Sequence, residues 1–497
     1  MAATESHDVV VVGGGGAGLT AALSAARLGR DVVLLEKAST LGGTTGLSVG
    51  TICVSSTPQQ RAAGIDDSPD AHFEDMPKFA GPRAGRDNVA LRRLYVDNVP
   101  EAFRFLMDLG IEFMRPIPEP PHRVPRLHAV VPHSRGYIYH LARHCRREGV
   151  RLRTGSPVSA LTGDGARVTG VRLASGETIA ARRAVVLASG DFSAAPTEFK
   201  RQYLGATVAD IEGINPASTG DGQRMGVEAG GVVLNGDLAW GPELRFVAPP
   251  RPSAVTRIPP WRPFARGVAW AVDHLPRAVL RPFLMSFVTT FLAPSHGLFA
   301  AGAILVNAQG RRFCDERDHP EVPVSRQPDR VAYVVLDGNL ARRFDAWPNY
   351  VSTAPGVGYA YLPDYARNRR DVCRRADDLR ALAARIGVPA DALTATVADC
   401  NTQRSGDDTP PPLTSPPFYA LGPLKAWICF TEGGLKVSER LEVLREDGSP
   451  IAGLFAAGSA GQGGLLLEGH GHHIGWGVTS GRLAGRNAAF HPRVDAA

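Results

Sequence analysis

Three histidines near the C-terminal end could move protons at neutral pH. His470, His472 and His473 lie within four positions of one another, and an imidazole has an unperturbed pKa of about 6.5. A single histidine would more often have a structural role. Three on one glycine-rich turn favour at least one as a catalytic acid or base, with the alternative that they bond to a cofactor or cap the following helix.

A second set of residues, near the N-terminus, has the spacing of a dinucleotide phosphate site. Gly13, Gly15 and Gly18 fit the pattern G-x-G-x-x-G. In this pattern the first glycine permits a tight turn, the second lets the backbone approach a pyrophosphate, and the third lets a helix pack on a strand. Glu36 follows about 20 positions later, where an acid accepts hydrogen bonds from an adenosine ribose.

These residues need a strand, a helix and a second strand to position them. From Asp8 to Glu36 a β-branched run, the glycines, an alanine-rich stretch and a second β-branched run predict a βαβ unit. The phosphate would then meet the helix N-terminus. The loop that follows is suited to a second pyrophosphate face and a flavin edge, which favours FAD over a nicotinamide cofactor; the alternative is a flexible loop. Its candidate residues are Gly42, Gly43, Thr44, Thr45, Gly46 and Ser48.

Length and composition limit the class of protein. A chain of 497 residues with 44% apolar content is too long for one core and predicts two or three domains. The N-terminus lacks a secretory signal pattern and the sequence has no apolar run of about 18 residues, so we expect a cytoplasmic protein. Six cysteines without a CxxC pair argue against a zinc site, an iron–sulfur cluster and a disulfide scaffold, so no metal site is expected.

One segment differs in composition from the rest. Residues 249–294 are rich in proline, arginine and aromatic residues, with apolar helical stretches at 264–275 and 279–292. An amphipathic pair of this kind could rest on a lipid surface and admit an apolar substrate. The alternative is an insert that packs on its own domain or on a second subunit. With a net charge of +6, the basic surface favours peripheral membrane contact over nucleic acid.

Several motifs resemble the FAD-dependent fumarate reductase and 3-ketosteroid dehydrogenase family. They are GGTT at 42–45, TGDG at 219–222, GAILVNAQGRRFCDE at 302–316 and GLFAAG at 453–458. The resemblance spans nearly the whole chain and implies an α/β fold, with a discontinuous Rossmann-like FAD-binding domain (1–285 and 429–497) and an inserted α+β capping domain (286–428). The loop at 42–46 lacks the histidine that links FAD covalently in respiratory-complex flavoproteins, so we expect noncovalent FAD.

The resemblance also implies contacts with FAD. A residue matching Val158 lays its backbone against adenine, while Ser189 and Gly190 close a strand against the cofactor. Asp221 leads into a helix near the flavin, with a helix N-cap as the alternative role. The other implied contacts are Gly16, Ala17, Lys37, Gly458, Ser459, His473 and Ile474.

Catalytic candidates follow from the same resemblance. The turn at 469–475 is similar to the ketosteroid dehydrogenase pattern G-A-G-A-T-I-G, in which an amide at the position of Gly471 helps hold the ketone oxygen. The acid that matches Glu316 belongs to a proton path in fumarate reductases. Weaker candidates in the cap are Tyr333, Tyr359, Tyr361, His319 and Arg326.

Three positions depart from the family pattern. Glu468 stands about where fumarate reductases carry an arginine that clamps a carboxylate, and Phe430 replaces a histidine. Fumarate is therefore disfavoured, since an acid repels the group that an arginine would hold. Leu467 stands about where ketosteroid dehydrogenases have a tyrosine, so steroid Δ1-dehydrogenation does not carry over directly.

We therefore expect an oxidoreductase that acts on a CH–CH bond next to an apolar steroid-, terpenoid- or polyketide-like ketone, or that reduces the corresponding enone. In this hypothesis the Gly471 amide polarises the carbonyl, a base removes the α-proton, and the β-hydride passes to the flavin. Two alternatives stay open: an enzyme that binds an organic acid through arginines of the cap, and a flavin-binding protein without activity. An electron acceptor or donor is required but not identified.

Overall fold

The computed structural model describes residues 5–250, 255–354, 358–404 and 409–494. Residues 251–254 of the predicted insert lie outside the described residues. In chain order the strands are β1 (Glu5–Val12), β2 (Val32–Leu35), β3 (Thr51–Cys53), β4 (Glu112–Phe113), β5 (Leu127–Val131), β6 (Arg151–Arg153), β7 (Val158–Gly163), β8 (Val168–Leu173), β9 (Thr178–Leu187), β10 (Glu212–Gly213), β11 (Val233–Leu234), β12 (Ala239–Trp240), β13 (Glu243–Phe246), β14 (Ala293–Pro294), β15 (Ile304–Val306), β16 (Ala332–Leu336), β17 (Ser352–Ala354), β18 (Gly358–Ala360), β19 (Cys373–Ala376), β20 (Phe418–Ile428), β21 (Phe430–Thr431), β22 (Gly434–Leu435), β23 (Glu442–Leu444) and β24 (Pro450–Ala456).

The helices connect these strands and cover the sheets. In chain order they are α1 (Gly16–Ala26), α2 (Gly43–Leu47), α3 (Pro58–Ala62), α4 (Pro69–Asp75), α5 (Pro77–Ala80), α6 (Val89–Asp108), α7 (Arg135–Arg147), α8 (Thr197–Leu204), α9 (Ala206–Ala209), α10 (Asp221–Glu228), α11 (Arg262–His274), α12 (Arg277–Val288), α13 (His296–Ala300), α14 (Glu321–Ser325), α15 (Gly338–Arg343), α16 (Leu362–Asn368), α17 (Leu379–Ile386), α18 (Ala390–Thr402) and α19 (His472–Phe490).

The main sheet has the parallel core that the first βαβ unit predicts. Its strands lie in the order β23-β24-β9-β1-β2-β6, and β24, β9, β1, β2 and β6 run parallel. Strand β2 and the second half of β1 are fully buried, because helices cover both faces of a parallel sheet. The strands of the predicted β-meander, β7 and β8, pair antiparallel with each other and lead into β9.

The C-terminal part of the chain completes this sheet, so the domain built on it is discontinuous as predicted. Strand β24 pairs with β9, and α19 then packs on α1. The two helices approach so closely that a Cβ at Gly481 would lie 2.4 Å from the Ala17 carbonyl oxygen, and one at Gly485 would lie 2.1 Å from that of Ala21. Glycine is needed here because the backbones themselves are in contact.

A second sheet forms the core of the inserted α+β layer. Strand β20 is its centre and pairs with β10, β13, β16 and β19, while β15 pairs with β16. Because β10 and β13 precede residue 286, the chain enters this layer earlier than the predicted boundary. Short strands such as β13, four residues long, carry too little periodicity to mark that entry.

The insert forms two helices, close to the predicted ranges, and packs on its own chain. Arg262 and Arg266 of α11 donate to Glu112 of β4 at 2.9 and 3.1 Å. Arg281 of α12 forms a 2.6 Å ion pair with Asp364 of α16. Among the described residues, no helix is both long and apolar enough to span a bilayer.

Candidate active site

A cleft opens at the carboxyl ends of the parallel strands, beside the glycine turn between β1 and α1. Gly13 has φ +112°, and a Cβ there would lie 2.3 Å from the Ala188 carbonyl oxygen. A Cβ at Gly18 would lie 1.9 Å from the Gly13 carbonyl oxygen. The first and third glycines therefore have the backbone roles that their spacing predicts, and α1 begins at the cleft with Gly15 as its N-cap.

Most of the predicted cofactor residues line this one cleft, although they come from eight separate segments (13–17, 36–37, 43–45, 158, 189–190, 221, 458–459 and 473). Gly18, Gly42, Gly46, Ser48 and Ile474 belong to the same segments but lie outside the lining. The lining residues among those predicted are Gly13, Gly15, Gly16, Ala17, Glu36, Lys37, Gly43, Thr44, Thr45, Val158, Ser189, Gly190, Asp221, Gly458, Ser459 and His473.

Other lining residues were not predicted. Asn215, Ala217 and Ser218 precede the TGDG motif and reach the cleft through the same turn, while Gly477 lies one helical turn after His473. The only signal in the sequence was their nearness to a motif. Asn215 donates to Thr44 Oγ1 at 2.9 Å, so it ties the TGDG segment to the GGTT loop across the cleft.

The residues present fit FAD. Ser189 Oγ is buried without a hydrogen-bond partner among the described residues, which leaves it available to a polar group in the cleft. The cleft floor consists of glycine backbone at a helix N-terminus, which suits a pyrophosphate. Glu36 and Lys37 lie at the adenosine end that the motif predicts, and Gly458, Ser459 and His473 lie on segments from the C-terminal part.

Glu36 is already held in an acceptor geometry. Its carboxylate accepts hydrogen bonds from the Gly14 amide at 2.6 Å and from the Ala38 amide at 2.8 Å. Both bonds use backbone donors, so the side chain is fixed before any ligand arrives. Its remaining lone pairs are the acceptors that a ribose would use.

Replacing Glu36 with glutamine should weaken FAD binding about tenfold or more, since a hydrogen bond to a charged group is worth about 1.5–3 kcal/mol. The measurement is fluorescence titration of apoprotein with FAD. Glu177→Gln is a matched control, because Glu177 pairs with Arg153 on the surface. Equal affinities for the two variants would contradict the role given to Glu36.

Asp221 does not cap a helix. The N-cap of α10 is Gly220, which has φ +72° and no side chain to cap with. The Asp221 carboxylate instead accepts hydrogen bonds from Lys37 Nζ at 2.8 Å and from Thr219 Oγ1 at 3.0 Å. The capping alternative is therefore wrong, and Asp221 faces the cleft.

The three histidines of the turn point in different directions. His470 Nδ1 lies 2.5 Å from Glu119 Oε1, and the same oxygen accepts from the His470 amide at 2.8 Å. His473 Nε2 lies 3.1 Å from Glu432 Oε1, and its ring packs on Phe430 at a centroid distance of 4.0 Å. Each of these two histidines therefore has a buried carboxylate that orients its ring.

His472 has no access to a substrate. It is fully buried, donates from Nδ1 to the Glu468 carbonyl at 2.7 Å, and faces His72 rather than the cleft. Burial lowers its pKa to about 4. Its assignment as a candidate base is therefore corrected, because successive residues at the start of a helix point about 100° apart.

Gly471 is the N-cap of α19 and has φ +84°. No described residue accepts a hydrogen bond from its amide. A Cβ there would lie 2.6 Å from the Cys53 amide nitrogen, so the turn is seated directly on β3. The Gly471 amide is therefore held rigidly, and its N–H is left to donate to a ligand.

Glu316 has contacts that hold the fold. It pairs with Arg312 through both oxygens, at 2.9 and 2.7 Å, and accepts from the Leu305 amide at 2.8 Å. The carboxylate is buried in the cap layer. These bonds hold the Glu316 side chain within the segment at 302–316. The role of Glu316 in a proton path stays a prediction.

The positions that depart from the family pattern also find structural partners. Glu468 is buried and pairs with Arg83 at 2.8 Å, while its other oxygen has no partner among the described residues. Burial raises the pKa of Glu468, and Arg83 opposes that shift. Leu467 is fully buried. Phe430 lies between His473 and Trp240, whose ring centroid is 5.6 Å away.

Sequence reasoning missed the acids and the aromatic residue beside the histidines. Glu119 and Trp240 lie far from the turn in sequence and in no motif, and Glu432 is the variable residue of a T-x-G-G pattern (431–434) that gives it no chemical role. The ring centroids of Trp240 and His470 lie 5.8 Å apart. Only the tertiary structure brings these residues to the turn.

This chain is similar to known flavoproteins in both sequence and structure. A family model described as "FAD binding domain" matches residues 8–251 and 266–466. The structure is similar to the open conformation of a flavocytochrome c3 fumarate reductase, with a TM-score of 0.72 and 26% identity, over 99% of this chain and 79% of that one.

Two relatives differ in what their names say they act on. A 4-oxocyclohexanecarboxylate 2-dehydrogenase of Sinomonas cyclohexanicum is 28% identical, over 97% of this chain and 93% of its own length. An NADH:fumarate oxidoreductase of Klebsiella pneumoniae (strain 342) is 26% identical, over 99% of this chain. The chain covers 48% of that relative, about half its length.

Proposed function

We propose that this chain, which belongs to the FAD-binding domain family and is similar to fumarate reductases, acts on a neutral, apolar ketone. It is an FAD-dependent oxidoreductase that acts on CH–CH bonds. The reaction is α,β-dehydrogenation of the ketone or reduction of the corresponding enone. FAD, held noncovalently, supplies the hydride acceptor or donor.

The observation that carries the proposal is the charge beside the histidine turn. Glu119, Glu432 and Glu468 are all buried there, with at most 9% of each residue exposed. A dicarboxylate would add negative charge next to these acids, and like charges repel strongly away from water. Arg83 already pairs with Glu468, so it is not a free clamp for a substrate carboxylate.

The aromatic residues of the same region suit an apolar substrate. Trp240 of β12 and Phe430 of β21 lie on paired strands and pack against His470 and His473. Their faces give a wall of hydrocarbon beside the turn. Apolar rings bind such surfaces through burial of area and through aromatic packing. The relative named for 4-oxocyclohexanecarboxylate supports a cyclic ketone as the reacting group, while the carboxylate of that compound is a charge that our proposal does not include.

His470 is the proton-transfer residue in this proposal. Glu119 holds the Nδ1 side of its ring at 2.5 Å, which fixes the tautomer with the proton on Nδ1. The Nε2 atom has no partner among the described residues, and in this tautomer it carries the lone pair of a base. The ring is partly exposed, so it can reach an α-carbon of a bound ketone.

The Gly471 amide polarises the ketone oxygen. A backbone N–H that is fixed in place stabilises charge as it develops on an oxygen, without reorganisation at the moment of reaction. His470 and Gly471 are adjacent, so one turn supplies both the base and the oxygen donor. The α-proton becomes more acidic as the carbonyl is polarised, which makes its removal by His470 easier.

Substrate preference tests the proposal. We expect dye-coupled turnover with saturated cyclic ketones at a kcat/KM at least about 100-fold above that with succinate, since removing a charged clamp costs about 3 kcal/mol or more. Added salt should leave the ketone value unchanged, because a neutral substrate has no charge to screen.

Two results would favour other functions. Comparable turnover of succinate, with a KM that rises steeply with salt, would support an organic-acid substrate. Retention of FAD without turnover of any compound, in either direction, would support a flavin-binding protein without activity.

The insert offers a surface for peripheral contact with lipid. Trp261, Phe264 and Trp270 expose half or more of their surface (51%, 50% and 58%). Their neighbours Arg262 and Arg266 both pair with Glu112, but their side chains stay 55% and 63% exposed, so they could also meet anionic headgroups. Such a contact would let an apolar substrate pass from the lipid to the protein.

Replacing Trp261 and Trp270 together with serine should weaken co-sedimentation with anionic phospholipid vesicles about tenfold or more, since burying large aromatic side chains contributes about 1.5–3 kcal/mol each. Trp347→Ser is the control, because Trp347 is 64% exposed but lies outside the insert. Vesicle binding that is absent from the parent protein, or unaffected by the double substitution, would remove the membrane contact from the proposal.

A further inference from the structure

Four side chains that commonly bind metals meet beneath the histidine turn, outside the cleft. They are Cys53 at the end of β3, His72 of α4, His122 in the connection between β4 and β5, and His472 at the start of α19. All four are buried, and their ligand atoms all lie within 4.8 Å of one another. The expectation of no metal site considered only closely spaced cysteines and could not foresee this cluster.

Three of the six distances between ligand atoms are close to those of a tetrahedral zinc site, and the other three are at most 4.8 Å. Cys53 Sγ lies 3.2 Å from His122 Nε2 and 3.6 Å from His72 Nε2, and His72 Nε2 lies 3.2 Å from His472 Nε2. Zinc binds nitrogen at about 2.0–2.1 Å and thiolate at about 2.3 Å, so tetrahedral ligands lie about 3.3–3.7 Å apart. We propose that Cys53, His72, His122 and His472 bind one structural Zn²⁺.

The surroundings of His472 fit a zinc ligand. Its Nδ1 donates to the Glu468 carbonyl oxygen at 2.7 Å. That bond places the proton on Nδ1 and leaves the Nε2 lone pair directed at the cluster. Ligating histidines are commonly oriented through their second nitrogen in this way.

His122 has an acid within reach of its second nitrogen. Its Nδ1 lies 2.9 Å from Arg126 Nη1 and 4.0 Å from Asp75 Oδ2. When Nε2 binds the metal, the proton moves to Nδ1, and a small rotation lets Asp75 accept it in place of the contact with Arg126. His72 Nδ1 has no partner among the described residues. His72 would therefore bind the metal without a hydrogen bond that orients its ring.

The type of ligand and the burial decide the role of the metal. One thiolate and three neutral imidazoles give zinc four protein ligands, which leaves no open position for a substrate. Phe79 and Tyr95 pack against the imidazoles and shield the buried cluster from solvent. A closed, dry site of this kind ties β3 and α4 to the start of α19 and so fixes the turn that carries His470 and Gly471.

Metal analysis of the FAD-loaded protein tests the assignment. After growth with added zinc, we expect elemental mass spectrometry of the purified protein to give about one zinc per chain. Cys53→Ser should lower the zinc content at least about tenfold, because it removes the thiolate ligand. Cys145→Ser is the matched control, since Cys145 is also buried but its Sγ contacts the Leu19 carbonyl oxygen.

A measurement on the unaltered protein covers the case in which the variant fails to fold. Cobalt(II) introduced in place of zinc should give the intense visible bands of a tetrahedral site at wavelengths beyond the flavin absorption. X-ray absorption at the zinc edge should show one sulfur and three nitrogen neighbours. Unaltered protein that takes up neither zinc nor cobalt would overturn the proposal in favour of a hydrogen-bonded histidine cluster, and recovery of copper or iron instead would overturn the assignment to zinc.

Discussion

Replacing His470 with glutamine is expected to lower kcat by about 10²- to 10⁴-fold, the usual contribution of a positioned general base. Glutamine can still donate to Glu119 but cannot accept the α-proton. FAD content should stay at the level of the parent protein, because His470 lies outside the lining of the cleft. The measurements are dye-coupled turnover of a cyclic ketone and the flavin-to-protein absorbance ratio.

The other histidines of the chain provide the comparison. His296→Gln is a matched control, since His296 is exposed at the start of α13. Glu119→Gln should give a smaller loss than His470→Gln, because it disturbs the orientation of the ring and leaves the base in place. If His470→Gln kept most of the activity while His473→Gln lost it, the proton-transfer role would belong to His473.

Replacing Gly13 with alanine is expected to remove FAD from the purified protein. The position has φ +112°, and the new Cβ would lie 2.3 Å from the Ala188 carbonyl oxygen. The left-handed conformation and the overpacking together cost about 3 kcal/mol or more. The strand end and the glycine turn must move apart, which disturbs the backbone that the pyrophosphate needs. The measurements are flavin content and thermal unfolding with and without added FAD.

Gly29→Ala separates the effect of packing from that of conformation. Gly29 has φ +74°, but a Cβ there would meet nothing within 4 Å. This variant should lose about 1–2 kcal/mol for the left-handed backbone and should keep its FAD. If Gly13→Ala bound FAD as tightly as Gly29→Ala does, the cleft would not be the phosphate site.

The parts of the site that depend on backbone could be predicted from the sequence. Gly13 and Gly18 are required by contacts of the chain with itself, so their spacing specifies the turn, the start of α1 and the position of Glu36. The parallel core could also be predicted, because two buried β-branched strands joined by a helix pair in parallel with a right-handed connection.

The side-chain environment of the turn could not be predicted in this way. Three histidines within four positions did not indicate where each side chain would point. The fold places His472 in the interior, while His470 and His473 face carboxylates. Glu119 and Cys53 come from other segments, and only the approach of α19 to β3 brings them to the turn. Contacts between residues far apart in sequence leave no periodic pattern.

Anaerobic stopped-flow absorbance of the FAD-loaded protein is the most direct test of a neutral ketone substrate. Oxidised flavin is mixed separately with saturated cyclic ketones and with succinate, and chemically reduced flavin is mixed with the corresponding enones and with fumarate. We expect that a ketone bleaches the flavin, or that an enone reoxidises it, while succinate and fumarate leave it unchanged. Bleaching by succinate alone, or reoxidation by fumarate alone, would contradict the proposal of a neutral ketone substrate.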